Sequence, residues 1–186
     1  MTHCHASKSR YASYSIQASQ GFSLVEVLTA VAILGVLMGL AAPSFSEISL
    51  SSRLTDTANS LVSSAAQGRS EAIKRNAVVT MCMSADSSTC ATSGGWQQGW
   101  ILRAPVVPAT SPPTFVILYK DAGPPAGFKV NGSVNSIDFN PVGVGTTQAT
   151  LTVCRNLPTV ASQERIVSVS ATGKAATTKT TTGTCP

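Results

Sequence analysis

The sequence predicts an α+β protein, in which a long N-terminal helix packs on a C-terminal domain of antiparallel strands. Three observations predict it. Residues 27–42 contain no ionisable side chain. Apolar residues then recur at three- and four-residue intervals to about residue 76. Beyond that point the pattern becomes short runs of Val, Ile, Thr and Phe between Gly, Pro and Asn clusters.

At 186 residues the chain is long enough for one domain and an anchor. Four segments are expected: a polar, basic leader over 1–21, a transmembrane helix over 22–43, an amphipathic helix over 44–76, and a β-rich domain over 77–186. Residues 22–42 would span about 31 Å as a helix at ~1.5 Å per residue, enough to cross a bilayer core. Lys8 and Arg10 precede this span and the next cation is Arg53. The positive-inside rule therefore leaves the leader in the cytoplasm and sends the body outward. Gly35 and Gly39 form a GxxxG spacing that lets membrane helices approach closely. Pro43 removes one helical hydrogen bond and is expected to kink the helix or break it locally.

In the amphipathic helix, Leu54, Ala58, Leu61, Val62, Ala65, Ala72 and Ile73 form one face. Asp56, Asn59, Ser63, Gln67, Ser70 and Lys74 form the other. Gly68 weakens the helix near its middle. Strands are predicted over 78–83, 99–103, 114–119, 128–130, 136–139, 150–155 and 165–171. The Pro-rich stretch 104–113 reads as an exposed loop. Gly94-Gly95-Trp96 marks a turn and Gly99-Trp100 the start of a strand, with both tryptophans in the core. Strands that follow one long helix make an α+β layout.

Charge and cysteines both divide at residue 21. Of 13 cations two lie in the leader and all eight acids lie after it, so the body carries 11 − 8 = +3. This mild excess permits an anionic partner without requiring one. Cys4 is in the leader, which leaves Cys82, Cys90, Cys154 and Cys185. Four cysteines in an exported domain read as two disulfides with three possible pairings. The short polar loop between Cys82 and Cys90 favours that pair, with Cys154 tying the C-terminus through Cys185. A metal site is disfavoured, because there is no CxxC and no histidine after position 21. No cofactor is implied.

The most informative residues are Gly21-Phe22-Ser23-Leu24-Val25-Glu26. Glu26 puts a carboxylate into an apolar run, at roughly a few kcal/mol if it is left unpaired. A secretory signal does not accommodate Glu26, and its only small-residue exit, Leu40-Ala41-Ala42, is followed by Pro43. A plain anchor explains the length but neither Glu26 nor the glycine before Phe22.

The hexapeptide and the apolar stretch behind it resemble the class III signal of type IV prepilins and type II secretion pseudopilins. The resemblance implies cleavage after Gly21 by prepilin peptidase and methylation of the new N-terminal Phe22. It also implies a pilin-like fold, and pairing of Glu26 with the amine of Phe22 on a neighbouring subunit. Further residues narrow it: Cys82, Cys90, Trp96-Gln97-Gln98-Gly99-Trp100, Phe139-Asn140-Pro141-Val142-Gly143 and Leu151-Thr152-Val153-Cys154. With the ending Arg165-Ile166-Val167-Ser168-Val169-Ser170-Ala171-Thr172-Gly173-Lys174, they are similar to the minor pilins and pseudopilins of the GspH/FimT/FimU group. Members of that group prime or cap a helical filament of other pilins, reached from the inner membrane.

Catalysis is not expected. Both histidines, His3 and His5, are in the leader, so the body has no imidazole for a triad. There is no GxSxG, P-loop or dinucleotide fingerprint, and the acids show no paired spacing. Some FimT-like proteins bind DNA through a C-terminal Gly-Arg-x-Arg. Here Gly173-Lys174-Ala175-Ala176 stands in that place, with Lys179 beyond it. Fewer cations weaken phosphate contacts, and lysine lacks the bidentate fork of arginine. Arg155, Arg165, Lys174 and Lys179 are the candidate DNA-binding residues, and a soluble, disulfide-tied tail is the competing reading of that segment. Two machines remain open, a type IV pilus and a type II secretion pseudopilus. Two further alternatives are a DNA receptor on a competence pilus and a monomeric anchored protein.

Overall fold

The structure, a computed structural model, describes residues 21–106, 111–155, 163–180 and 185, with only the backbone of 40–46. The leader with His3, Cys4, His5, Lys8 and Arg10 lies outside the described residues, as does part of the Pro-rich stretch. Helix α1 (Leu24–Arg75) is followed by strands β1 (Val79–Met83), β2 (Trp100–Pro105), β3 (Phe115–Asp121) and β4 (Phe128–Gly132). Then come β5 (Ser136–Phe139), β6 (Ala149–Arg155), β7 (Glu164–Val169) and β8 (Ala175–Thr180). The chain divides into two compact units, one ending at Ala42 and one over Pro43–Pro186.

Helical geometry continues through Pro43, so the expected local break is absent and α1 is one element. Proline removes a single backbone donor, and the turns on either side carry the helix past it.

In the second unit the strands form two antiparallel sheets, β3-β2-β1-β5 and β4-β6-β7-β8. Helix α1 packs on both. Leu54, Ala58, Leu61, Ala65 and Ala72 are fully covered and join a core with Met81, Leu102, Ile137 and Phe139 of the first sheet and Val130, Leu151, Val153 and Val167 of the second. The six polar residues expected on the outer face are all exposed. Val62 is half-buried, and Ile73 is exposed.

Gly68 belongs to the buried stripe. A Cβ at this position would lie 2.8 Å from the Phe139 ring and 3.1 Å from Leu102. The glycine that weakens the helix in isolation is what lets the helix approach the sheet. Polar contacts set the register. The Trp100 indole donates to Ser64 Oγ (2.9 Å), and Ser60 Oγ donates to the Asp121 carboxylate (2.6 Å). Trp96, in a 3-10 turn (Trp96–Gln98), donates to the Val134 carbonyl (2.8 Å). Both tryptophans are core residues.

Two sequence expectations are corrected. Ala104 and Pro105 belong to β2, with Ala104 fully buried, so the loop starts later than 104. The segment Ala175–Thr180, read as a tail, is strand β8, paired along β7 from Val169↔Ala175 to Glu164↔Thr180. Its Ala, Thr and Lys residues lack the apolar alternation that marks a half-buried strand, because β8 is an exposed edge.

Disulfides join Cys82 to Cys90 and Cys154 to Cys185. Inside the first, Asp86 accepts from the backbone N–H groups of Thr89 (2.8 Å) and Ser88 (2.9 Å) and from the hydroxyls of Thr89 and Ser84. The Thr89 and Ser88 amides, then the Thr89 hydroxyl, hold its carboxyl well below the usual carboxylate range.

Two outcomes are expected. Gly68→Leu should overpack the helix–sheet contact by about 1–3 kcal/mol and lower the melting temperature of the detergent-solubilised protein by several degrees. An unchanged melt would show that Phe139 gives way freely. Because the folded carboxyl of Asp86 has the lower pKa, its contribution is complete above the ordinary value of 3.8 and is lost as pH falls below it. The Ser88 and Thr89 amide resonances should therefore hold steady through the range around 3.8 in which an ordinary aspartate titrates, and move only at lower pH. In Asp86→Asn the low-pH movement should disappear.

Candidate functional site

The N-terminal segment places its functional groups by simple helix geometry. The Val27 N–H donates to the Ser23 carbonyl (3.1 Å), which starts the helix and puts Glu26 in its first turn. A carboxylate is favoured there by the helix dipole, by about 0.3–1 kcal/mol. Gly21 and Phe22 precede the helix, and the Phe22 side chain is exposed. From Phe22 to Met38 the large apolar side chains are 50–80% exposed, and they cover every side of the helix. Among the described residues nothing outside the helix's own neighbouring turns lies within 4 Å of the Cβ positions of Gly35 and Gly39. A helix that is apolar all round must be covered by lipid or by other helices.

Among the described residues no helix is long and apolar enough to cross a membrane.

The four candidate DNA-binding residues do not form one site. Arg165 is buried. Its guanidinium donates to Ser51 Oγ (3.1 Å) and Thr55 Oγ1 (3.2 Å) of α1 and to the Glu164 carbonyl. It is a tie between β7 and the helix. Arg155 stacks on the Phe128 ring, with its guanidinium carbon 4.9 Å from the centroid. Lys179 lies opposite Arg165 and is exposed. Lys174 is at the other end of β8, in the turn closed by Gly173 N–H to the Ser170 carbonyl (2.8 Å). Four residues of β8 lie between the two lysines, which puts them about 17 Å apart along the strand.

A residue that sequence reading passed over lies between the two motifs that carried the resemblance. Arg69 leaves α1 beside Gly68 and reaches between the 139–143 and 170–174 turns. Its side chain lies 3.3 Å from a Cβ placed on Gly173 and 4.0 Å from one on Gly143. The Thr146 N–H donates to the Ala171 carbonyl (3.0 Å) and joins the loops that bear those turns. Only its place next to a buried helix glycine could have singled Arg69 out.

Comparisons with known proteins agree with this geometry. Residues 57–173 match the family model described as type II transport protein GspH, and residues 16–42 match the prokaryotic N-terminal methylation motif. Two crystal forms of the type IV minor pilin FimU from Pseudomonas aeruginosa are similar in structure. One aligns with a TM-score of 0.51 at 19% identity, over 69% of this chain and 90% of that chain. The other gives 0.48 at 19% identity, over 67% and 91%. At this identity the likeness speaks for the fold. No curated protein matches.

Arg165→Ala should destabilise the protein by about 1–3 kcal/mol, because it releases two helix hydroxyls at a buried junction. Lys179→Ala should stay within about 0.5 kcal/mol. Circular dichroism melts of the two variants side by side measure the difference, and equal melts would contradict the tie.

Proposed function

We propose that this chain, which belongs to the GspH family of type II transport proteins within the pilin-like minor pilins and pseudopilins, is a minor type IV pilin. Prepilin peptidase cuts it after Gly21, and Phe22 becomes the methylated N-terminus. The helix then waits in the inner membrane with the β-rich body in the periplasm. From there the subunit enters a helical filament of other pilins, whose assembly it starts or caps.

One observation carries this reading. A helix exposed and apolar on every side holds a single carboxylate in its first turn, five residues after a glycine and inside the N-terminal methylation motif. In lipid alone that carboxylate is unfavourable. A neighbouring subunit's N-terminal amine neutralises it, while the apolar side chains around it are covered by neighbouring helices. The role is structural, and no catalytic step is assigned to the chain.

The family description itself favours a second reading, a pseudopilin of a type II secretion machine. Deleting the gene in the source bacterium separates the two: loss of surface pili supports the first, and loss of secreted enzymes with normal pili supports the second. The DNA-receptor reading is disfavoured by the burial of Arg165 and the separation of Lys174 from Lys179.

Glu26→Leu should leave membrane insertion intact and reduce recovery of the subunit in sheared filaments by roughly tenfold or more, as loss of one buried charge pair implies. Normal co-purification would sink the assembly role of Glu26. Gly21→Leu should block processing, so that intact mass spectrometry finds the leader still attached and Phe22 unmethylated.

A further inference from the structure

A groove of about 390 Å³ runs between α1 and the start of β8, floored by Val62, Ala66, Ile73 and Ala175 and flanked by Arg69 and Lys174. Among the described residues no acid lines it. Glu71, the acid two residues along the helix from Arg69, is engaged by Lys74 (3.1 Å) and Arg75 (3.0 Å). The Nε of Arg69 is buried and has no hydrogen-bond partner among the described residues. Part of its guanidinium is thus removed from water without compensation, and an anion placed against it gains more than it would at an open surface. The surroundings are apolar and exposed: Ile73 is 53% accessible, and Val142 and Val144, on either side of Gly143, are 72% and 58% accessible.

We propose that this groove docks another subunit of the filament through a carboxylate side chain with an aliphatic side chain beside it. The carboxylate meets Arg69 and Lys174, and the aliphatic group covers Ile73 and the alanine floor. Charge complementarity selects an acid over an amide. The apolar floor selects a protein side chain over a sugar–phosphate backbone, which would leave Ile73, Val142 and Val144 uncovered. The proposal rests on the filament reading only for the source of the partner, because the groove can be tested in an unassembled subunit.

The test uses the full chain in detergent micelles, with nuclear magnetic resonance of the Arg69 Nε–H and the Ile73 methyl groups. The probes are the blocked tetrapeptide Ala-Glu-Ile-Ala, its Ala-Gln-Ile-Ala counterpart and a short DNA duplex. The Glu peptide should shift both signals saturably with a Kd of about millimolar. The Gln peptide, and the Glu peptide on Lys174→Gln, should bind about three- to fivefold more weakly. Ile73→Glu, at an exposed position that leaves the core intact, should abolish the shift of the Arg69 Nε–H signal. Absence of saturable shifts, or equal binding of the Glu and Gln peptides, overturns the proposal. So does DNA that moves the same signals at lower concentration than the Glu peptide, which would give the groove to phosphate. Failure here with normal processing and incorporation leaves the filament role standing, and failure of those two assays leaves the groove measurement intact.

Discussion

The close approach of helix α1 to two sheets at once is the constraint on which the rest of the body depends. The sheets share no hydrogen-bonded ladder. Each has an inner face that only the helix and the other sheet can cover. The helix meets both with a narrow stripe of Leu and Ala, and at Gly68 with no side chain at all, so Phe139 and Leu102 pack against its backbone. Hydrogen bonds made by Ser51, Thr55, Ser60 and Ser64 then fix its rotation and axial position. Small residues set the distance and small hydroxyls set the register.

This arrangement explains why some of the fold was legible in the sequence and some was not. The stripe of Leu54, Ala58, Leu61, Ala65 and Ala72 repeats with the helical period, and each residue is buried. The strands with large alternating residues, such as β1 and β6, are readable for the same reason. Strand β8 was illegible because an edge strand exposed on most of its length needs no apolar pattern. The continuity of α1 through Pro43 depends on turns beyond the proline, and a local rule does not contain them.

The candidate sites divide along a similar line. Glu26 stands out in the sequence because a charge among apolar residues is conspicuous in one dimension. The tie made by Arg165 was not legible, because a cation's use depends on what faces it, and the facing groups, Ser51 and Thr55, lie more than a hundred residues earlier. Arg69 was passed over for the converse reason. Apart from Gly68 nothing in its own neighbourhood marks it, and its setting is made by two turns from distant parts of the chain.

The bond from Cys154 to Cys185 has a consequence for how the second sheet opens. Edge strands usually fray from a free chain end, one ladder bond at a time. Here Cys185, five residues past the end of β8, is fastened to Cys154 of β6, with β7 between the two strands. Unzipping from that side is restrained by the tether, so β8 leaves the sheet more readily from its turn at 170–174. Peeling is thereby biased toward the end of the strand where Lys174 sits.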